Sequence, residues 1–362
     1  MKKITNSKGV ETLIFAKTIE PEALEQIKRM CNFEPYLDAK IRVMPDVHVG
    51  KGCTVGMTMV ITNAITPNLV GVDIGCGVLT VKLKNRDINF EKLDKVIRSR
   101  IPHGHDVHDK PKKDFNFSEL RCQKHLDIQR AALSIGSLGG GNHFIEVGKS
   151  KKTEEVYLII HSGSRHLGNE VCNYYQDKAS QKSNIGSKEL AFLSGNDFED
   201  YMNDMAIVQK FASLNRKTIA EIIIEEMCFT EASRFETIHN YIDFRRMILR
   251  KGAVSAEEGE MLLIPINMSD GSLLCIGKGN EEWNYSAPHG AGRLMSRKKA
   301  KTAISMHDFV QSMKNVYSTS VVTKTLDEAP QAYKSIREIK SMITDTVNVI
   351  EIIKPIYNFK AH

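Results

Sequence analysis

Apolar residues in this chain occur either in short runs or in helix-spaced series, and each pattern predicts a different element. Short apolar runs broken by glycine and proline occupy residues 40–83, and two more lie within residues 143–162. A third block of this kind covers residues 252–277. Runs of this length, with turn residues between them, are typical of β-strands, so all three blocks are predicted to be β-rich.

Helices are predicted where apolar residues recur every three or four positions. The clearest series lies in residues 198–228 and predicts one or two helices. Shorter helices are expected near residues 90–98 and 117–133, and residues 327–360 predict a helix followed by a strand. Because strands and helices do not alternate regularly, the pattern favours an α+β class over a parallel α/β fold. No clean boundary divides the chain, so we expect residues 1–362 to form a single large domain.

Composition and the N-terminal sequence bear on the cellular compartment of the protein. Seven cysteines are scattered without a Cys-x-x-Cys pair, which favours a reducing compartment over a disulfide framework. The N-terminal residues lack the sustained apolar stretch of a signal peptide, and no segment reads as a membrane span. We therefore expect a cytoplasmic protein with no membrane partner. The net charge of +6 permits a polyanionic partner but does not require one.

Residues 68–83, with the sequence NLVGVDIGCGVLTVKL, place two reactive side chains inside an apolar run. In a regular strand Asp73 and Cys76 would point to opposite faces. The glycines between and around them allow the chain to turn, so both side chains can reach one point. A carboxylate and a thiolate share few roles, and binding one metal ion is among them.

Four histidines lie beside predicted turns or strand ends, where side chains can converge on a site: His143, His161, His239 and His289. Together with the Asp–Cys pair they favour a centre for one or two divalent ions, with one histidine left for chemistry. The softness of the donors makes Zn²⁺ the first expectation and leaves Mn²⁺, Fe²⁺ and Co²⁺ open. Six other histidines are expected to be exposed polar residues: His103, His105, His108, His125, His307 and His362.

Two glycine-rich stretches offer unobstructed backbone N–H groups, which suit phosphate: residues 136–143 (GSLGGGNH) and residues 289–293 (HGAGR). Arg293 and Arg297 lie four residues apart, so on a helix they would share a face and could bind phosphate oxygens bidentately. The alternative is that the glycines only form tight turns. The chain contains no GxxxxGK[ST] and no Lys-x-Asp-Gly. A nucleotidyl transfer would therefore need another nucleophile, and histidine can form a phosphoramidate.

Seven stretches, in order along residues 40–362, resemble the RtcB family of GTP-dependent RNA ligases. They are MPDVHVGKG, GVDIGCGV, GSLGGGNHFIEV, HSGSRHLG, IHNYI, GKGNEEWNYSAPHGAGRLMSRKKAK and DEAPQAYKSI. The resemblance implies mixed sheets surrounded by helices around a central metal cleft. It also implies an enzyme that uses GTP and Mn²⁺ to join RNA ending in a 2′,3′-cyclic phosphate or 3′-phosphate to RNA with a 5′-hydroxyl, in tRNA splicing or RNA repair. The sequence leaves open whether an archease-like activator takes part.

The resemblance further implies a role for each matching residue. His289 would be guanylylated, and Glu146 would accept guanine N1–H and N2–H₂ and so select GTP over ATP. The ligands of two Mn²⁺ ions would be Asp73, Cys76, His143, His161 and His239, with Cys76 as the bridge. GTP or GMP would contact Asn142, Glu146, Gly290, Ala291, Gly292, Arg293, Tyr333 and Lys360. Arg297 and Asp46 would contact RNA or its phosphates, although Asp46 could instead orient a ligand or occupy a turn.

Departures from the family pattern leave alternatives open. Residues 264–279 differ from the loop that usually precedes the nucleophile, and Asp270 adds an acidic side chain that must pair or face away from phosphates. One alternative is an RNA 3′-phosphate guanylyltransferase that caps ends and seals weakly. Another is a metal-dependent cyclic phosphoesterase. A non-catalytic RNA-binding protein would lack a metal ligand or the nucleophile, and neither is missing.

Overall fold

The computed structural model describes residues 2–50, 52–182 and 188–361. Its strands are β1 (Lys2–Thr5), β2 (Glu11–Ile14), β3 (Ile41–His48), β4 (Val55–Val60), β5 (Ala64–Ile65), β6 (Gly77–Leu83), β7 (Phe144–Ser150), β8 (Val156–Ser162), β9 (Leu193–Ser194), β10 (Glu231–Ile238), β11 (Asn240–Asp243), β12 (Ile248–Lys251), β13 (Ala253–Ser255), β14 (Met261–Asn267), β15 (Gly271–Gly277), β16 (Ser286–Pro288) and β17 (Val347–Lys360). Its α-helices are α1 (Pro21–Cys31), α2 (Phe90–Arg100), α3 (Ile128–Ser134), α4 (Arg165–Lys182), α5 (Gly195–Met227), α6 (Arg297–Ala303), α7 (Met306–Ser312) and α8 (Ile336–Met342).

Two large sheets organise the described part of the chain. The six-stranded sheet has the order β1-β2-β3-β4-β12-β11, and the seven-stranded sheet has the order β10-β6-β8-β7-β17-β15-β14. Strands β2 and β3 pair in parallel, and the neighbouring pairs of the seven-stranded sheet are antiparallel. This mainly antiparallel topology, with helices outside the sheets, confirms the predicted α+β class and the three β-rich blocks.

The seven-stranded sheet curls until its edge strands, β10 and β14, face each other. The backbone N–H of Leu263 on β14 donates to Thr237 Oγ1 on β10 at 3.0 Å. One cluster of buried apolar side chains draws members from strands across the whole curl: Val78, Phe144, Tyr157, Ile159, Leu263, Leu274 and Ile353. The register places the start of β6 beside the ends of β8 and β10, and the start of β7 beside the end of β8. These four strand ends therefore meet at one end of the curl.

Helix α5 joins the two largest hydrophobic clusters. Tyr201, Met205 and Val208 in its first half belong to the cluster beside the six-stranded sheet. Ile219 and Ile223 in its second half belong to the cluster against the seven-stranded sheet. Full burial of one such side chain stabilises a fold by about 1.5–3 kcal/mol, so the helix is firmly anchored at both ends. Polar residues midway along α5 are thereby held in a fixed position behind the curled sheet.

The helix predicted near residues 117–133 is wrong over most of its length, because only a one-turn 3-10 helix (Gln123–His125) and α3 form there. The carboxylate of Asp204 on α5 accepts hydrogen bonds from the backbone N–H groups of Arg121 (2.7 Å) and Cys122 (3.0 Å). These tertiary hydrogen bonds fix the segment in a non-helical path despite its local pattern. The predicted helix in residues 198–228 is confirmed as the single helix α5. Within the described ranges, no helix has both the length and the apolar character that a bilayer crossing requires.

Candidate active site

The turn before β6 brings together two side chains that a strand would separate. Residues 70–76 are not in a strand, and β6 begins only after them. Gly71 has φ +98° and Gly75 has φ +70°, conformations that side-chain-bearing residues rarely adopt. The Cys76 N–H donates to the Asp73 carbonyl at 3.2 Å, which closes the turn. As predicted, the glycines let Asp73 and Cys76 face the same point.

The five predicted metal ligands converge at the end of the curled sheet. They form two groups that share the thiol: Asp73, Cys76 and His143, and Cys76, His161 and His239, with the candidate ligand atoms of each group within 4.8 Å of one another. His161 Nε2 lies 3.3 Å from both Cys76 Sγ and His239 Nε2. His143 Nε2 lies 2.9 Å from Asp73 Oδ2 and 3.5 Å from Cys76 Sγ. Such a grouping of thiol, carboxylate and imidazole atoms is suited to metal binding.

The protonation chemistry of this group fits a divalent cation. Burial, together with the neighbouring histidines, lowers the pKa of His161 and of His239 well below the ordinary range, so both imidazoles are neutral. His161 Nδ1 donates to the Asn142 carbonyl at 3.2 Å, which leaves Nε2 as the ligand atom. Burial and then the charge of Asp73 raise the pKa of the Cys76 thiol. A thiol of this kind ionises when a cation binds, because the metal replaces its proton.

Two glycines leave the space that these ligands occupy. A Cβ atom at Gly163 would lie 2.0 Å from Asp73 Oδ1. A Cβ atom at Gly139 would lie 2.0 Å from Arg165 Nη1 and 2.6 Å from His143 Nδ1. Real Cβ atoms do not approach neighbours this closely, so the glycine-rich stretch around Gly139 is needed to accommodate side chains of the site.

Two buried residues of α5, which the sequence analysis missed, hold the ligand-bearing loops in place. Asn215 accepts from the Ser137 N–H and donates to the Ser137 carbonyl, both at 3.1 Å, and it donates to Ser162 Oγ at 3.0 Å. Arg216 Nη1 donates to the carbonyls of Gly75 (2.7 Å) and Ser162 (2.9 Å). The sequence feature that could have indicated these two residues is the adjacent pair Asn215–Arg216 within an apolar helical series.

His289 is held by a buried carboxylate on β3. His289 Nδ1 lies 2.6 Å from Asp46 Oδ2, and the His289 backbone N–H donates to the same oxygen at 3.1 Å. The carboxylate thus fixes a proton on Nδ1, and Nε2 keeps the lone pair. Asp46 is 0% exposed, so its position favours a role in orienting His289 over a direct contact with RNA. The ring centroid of His289 lies 5.1 Å from that of His239, which places it beside the metal ligands.

His48, also missed by the sequence analysis, lies beside His289. The two ring centroids are 6.4 Å apart, and the planes are inclined by 27°. His48 Nδ1 donates to the Asp46 carbonyl at 2.9 Å. Burial is the main effect that lowers the pKa of His48. The hydrogen bond to the Asp46 backbone acts in the opposite direction, and the neighbouring His289 lowers the pKa further. The local signal was the stretch MPDVHVG, in which His48 follows Asp46 by two positions on β3.

A cleft of about 600 Å³ connects His289 with the predicted nucleotide site. His161 and His239 line one part of it, beside His289. All the residues predicted to contact the nucleotide also line the cleft, together with Arg297: Asn142, Glu146, Gly290, Ala291, Gly292, Arg293, Tyr333 and Lys360. The structure therefore brings the predicted nucleophile, two predicted metal ligands and the predicted guanine contacts to one cavity.

Glu328, another residue that the sequence analysis missed, organises the far end of the cleft. The Tyr333 hydroxyl donates to Glu328 Oε2 at 2.7 Å, and Lys360 Nζ pairs with the same oxygen. Arg293 Nη1 and Arg297 Nη1 pair with Glu328 Oε1. Burial alone would raise the pKa of Glu328, but Lys360 and Arg297 lower it to about 2. The expectation that Arg293 and Arg297 share one helix face is wrong, because α6 begins at Arg297 and Arg293 precedes it. The two side chains meet instead through Glu328.

The acidic side chain of Asp270 is paired and faces away from the cleft, as expected if the cleft binds phosphates. It lies in the tight turn between β14 and β15, where its Oδ2 accepts from Asn267 Nδ2 at 2.9 Å. Lys354 Nζ lies 3.7 Å from Asp270 Oδ1. Asp270 does not line the cleft, so its charge is paired outside the cavity that would hold phosphates.

The remaining histidines mostly follow the prediction of exposed polar residues. Those that are exposed are His105, His125 and His307. His103 is half-buried, and the prediction is wrong for His108, which is buried and donates from Nε2 to the Gly136 carbonyl at 3.1 Å. Burial lowers the pKa of His108, as expected for a neutral structural donor. His362 lies outside the described residues.

Comparison with known proteins identifies the family of the chain. Residues 26–127 and 113–361 match the family described as tRNA-splicing ligase RtcB. The chain is 34% identical over 379 residues to the RNA-splicing ligase RtcB of Escherichia coli (strain K12), with 92% of each chain covered. It is 27% identical over 397 residues to the tRNA-splicing ligase RtcB of Aeropyrum pernix, with 82% of each chain covered. The chain therefore belongs to the RtcB family.

Proposed function

We propose that this protein is a GTP-dependent RNA ligase that joins 2′,3′-cyclic phosphate or 3′-phosphate ends to 5′-hydroxyl ends in tRNA splicing or RNA repair. The observation that carries the proposal is the buried Asp46–His289 pair, which opens into the same cleft as the metal ligands and the nucleotide-site residues. A cyclic phosphoesterase would need only the metal ligands. It would give no role to a histidine whose proton is fixed on Nδ1 by a carboxylate, so the pair favours nucleotidyl transfer.

The base of GTP would occupy the end of the cleft that contains Glu146. Burial raises the pKa of Glu146 to about 7, although Asn358 and Lys360 act in the opposite direction. Its carboxylate form can accept hydrogen bonds from guanine N1–H and N2–H₂, a donor pair that adenine lacks. Tyr333 and Lys360, both bound to Glu328, line the same cavity. The phosphates would then extend toward the glycines of residues 289–293.

In the first step, His289 Nε2 attacks the α-phosphorus of GTP. A phosphorus–nitrogen bond forms, the bond to the β-phosphate oxygen breaks, and pyrophosphate leaves. The Nδ1 proton stays against Asp46 Oδ2, so the carboxylate stabilises the positive charge that develops on the ring. GMP remains bound to His289.

In the second step, a 3′-phosphate oxygen of RNA attacks the phosphorus of GMP and releases His289, which gives an RNA(3′)pp(5′)G end. In the third step, the 5′-hydroxyl of the other RNA attacks the phosphorus of the RNA 3′-phosphate. A phosphodiester forms, and GMP is the leaving group. Two Mn²⁺ ions, held by the two ligand groups that share Cys76, would neutralise negative charge on the phosphates in these steps. Asn142, which is exposed at the cleft, is positioned to bind a phosphate oxygen.

Basic residues at the edge of the cleft provide a surface for RNA. Arg297 and Lys298 line the cleft and are exposed, and Lys299 and Lys301 are exposed on the same helix, α6. Lysine and arginine side chains in such a cluster neutralise backbone phosphates without reading the sequence. The RNA ends would enter from this side, and Arg297 would contact a phosphate near the reacting ends.

Transfer of label from α-³²P-GTP tests the proposal. The protein is incubated with labelled GTP and Mn²⁺, and the label retained on denatured protein is measured for the wild type, His289→Ala, Cys76→Ala and the exposed-histidine control His125→Ala. We expect acid-labile label on the wild type and the control, and none on the other two. Addition of 3′-phosphate RNA should then move the label to RNA. Retention of label by His289→Ala would exclude the proposed nucleophile, and label that stays at RNA 3′ ends when 5′-hydroxyl RNA is supplied would identify a capping enzyme.

A further inference from the structure

The base-binding end of the cleft contains a pair of cross-strand side chains whose hydrogen bonding is incomplete. Strands β7 and β17 are antiparallel, and their register sets Glu146 opposite Asn358 and Phe144 opposite Lys360. Residues two apart on a strand point to the same face, so these four side chains form one patch. All four line the cleft. Neither the sequence analysis nor the mechanism above gives Asn358 a role.

Glu146 and Asn358 satisfy each other only in part. Asn358 Nδ2 donates to Glu146 Oε2 at 2.8 Å. Glu146 Oε1 and Asn358 Oδ1 are buried and have no hydrogen-bond partner among the described residues. Glu146 is 3% exposed and Asn358 is 1% exposed. The opposite orientation of the amide would set two acceptor oxygens against each other, so the present orientation is the favourable one.

Two buried acceptors without donors on paired side chains suit a ligand that supplies two donors. Unpaired buried acceptors are costly, and a ligand edge with two N–H groups would satisfy both at once. The guanine edge presents N1–H and N2–H₂ side by side, whereas the corresponding adenine edge lacks this pair of donors. A hypoxanthine base keeps N1–H and lacks the 2-amino group. The cleft should therefore distinguish all three bases.

We propose that Asn358 is a second specificity residue for guanine, with Asn358 Oδ1 accepting from the 2-amino group while Glu146 Oε1 accepts from N1–H. The inference rests on the proposed use of GTP in this cleft and extends it. Asn358 Nδ2 also keeps Glu146 in position through the 2.8 Å hydrogen bond. Recognition of the 2-amino group and positioning of Glu146 predict different effects of substitution, because only the first depends on the 2-amino group.

Comparison of GTP with inosine triphosphate separates the two roles. Dissociation constants of GTP, inosine triphosphate and ATP are measured by calorimetry for the wild type, Asn358→Leu, Asn358→Ala and Asn348→Leu. Asn348 is an exposed asparagine on the same strand and serves as the matched control. We expect the wild type and the control to bind GTP roughly tenfold or more tightly than inosine triphosphate, since one buried acceptor stays unpaired with the latter.

In both Asn358 variants, affinity for GTP should fall to near that for inosine triphosphate, while affinity for inosine triphosphate stays within about threefold of the wild type. Retained binding of inosine triphosphate also shows that the variants are folded. Equal losses for both nucleotides, or a wild type that does not distinguish them, would overturn the inference. These titrations measure binding and not turnover. If Asn358 sets the preference for GTP over inosine triphosphate but His289 is not guanylylated, the proposed function fails and this inference stands.

Discussion

His289 and the carboxylate behind it carry the proposed chemistry. Asp46 is fully buried, receives two hydrogen bonds from His289, and has Oδ1 without a partner among the described residues. Its carboxylate selects the tautomer in which Nε2 is free and stabilises the charged ring that forms when a phosphorus–nitrogen bond is made. A neutral amide at this position would keep the shape and lose both effects.

Asp46→Asn should lower the rate of guanylylation by roughly 10²–10⁴-fold and leave GTP affinity nearly unchanged, because the wrong tautomer removes the Nε2 lone pair. Single-turnover labelling with α-³²P-GTP, alongside nucleotide binding by calorimetry, measures both quantities. Asp38→Asn, at an exposed aspartate, is the control. A rate within threefold of the wild type would mean that Asp46 does not set the state of His289.

Glu146 gives GTP binding a dependence on pH. Burial raises its pKa to about 7, and the carboxylate form is the one that accepts the two guanine donors. GTP affinity should therefore rise as pH increases from 6 to 7 and level off by about pH 8. In the free protein burial favours the protonated form of Glu146. Its contribution to the free energy of unfolding is therefore greatest at low pH and decreases as pH rises from 4.5 to about 7.

Calorimetric titrations of GTP between pH 6 and pH 8.5 test this dependence, with Glu146→Gln as the comparison. The amide variant should bind more weakly and show a flat profile across the range. An equally steep profile in Glu146→Gln would assign the titration to a different group.

The loops that bear the proposed metal ligands depend on their neighbouring elements as well as on their own sequence. Asn215 and Arg216 of α5 bind backbone groups of residues 75, 137 and 162, while Gly139 and Gly163 leave room for the ligands. The same dependence explains why the predicted helix in residues 117–133 was wrong, since Asp204 of α5 binds that backbone. Local patterns predicted most strands and the long helix, but they cannot report contacts between distant elements.

Gly163→Ala should abolish binding of a divalent ion, because the added Cβ would lie 2.0 Å from Asp73 Oδ1. Gly140→Ala is the matched control, since a Cβ there would meet only Gly104 Cα at 3.7 Å. Titration with Co²⁺, whose thiolate complexes absorb visibly and in the near ultraviolet, reports binding at Cys76 without any turnover. Wild-type absorption in Gly163→Ala would show that Asp73 moves aside or does not bind the ion.

Asn215→Ala should lower the free energy of unfolding by about 2–4 kcal/mol, because several buried backbone groups lose their partner at once. Urea denaturation of the metal-free protein measures the change. Asn173→Ala, at an exposed asparagine of α4, should change it by less than about 0.5 kcal/mol. A loss for Asn215→Ala no larger than the control would remove its assigned role.

The whole molecule combines a curled seven-stranded sheet with a cleft whose parts come from distant regions of the sequence. The proposed metal ligands, His289 and most of the proposed nucleotide contacts were predicted because they lie in stretches that resemble the family, and the fold class followed from the spacing of apolar runs. Asp46 and Glu328 also lie in such stretches, but their partners could not be assigned from the sequence, and neither could a role for Asn358. Their roles arise from contacts across 243, 32 and 212 positions in the chain, which are set by sheet register and packing.

Joining of two RNA ends is the direct test of the proposed reaction. A labelled RNA with a 3′-phosphate and an RNA with a 5′-hydroxyl are incubated with Mn²⁺ and the wild type or His289→Ala, with and without GTP, and the joined product is measured on a denaturing gel. The account predicts joined RNA only with the wild type and GTP. Joining without GTP, or equal joining by His289→Ala, would contradict it, as would the absence of any joined product in the complete reaction.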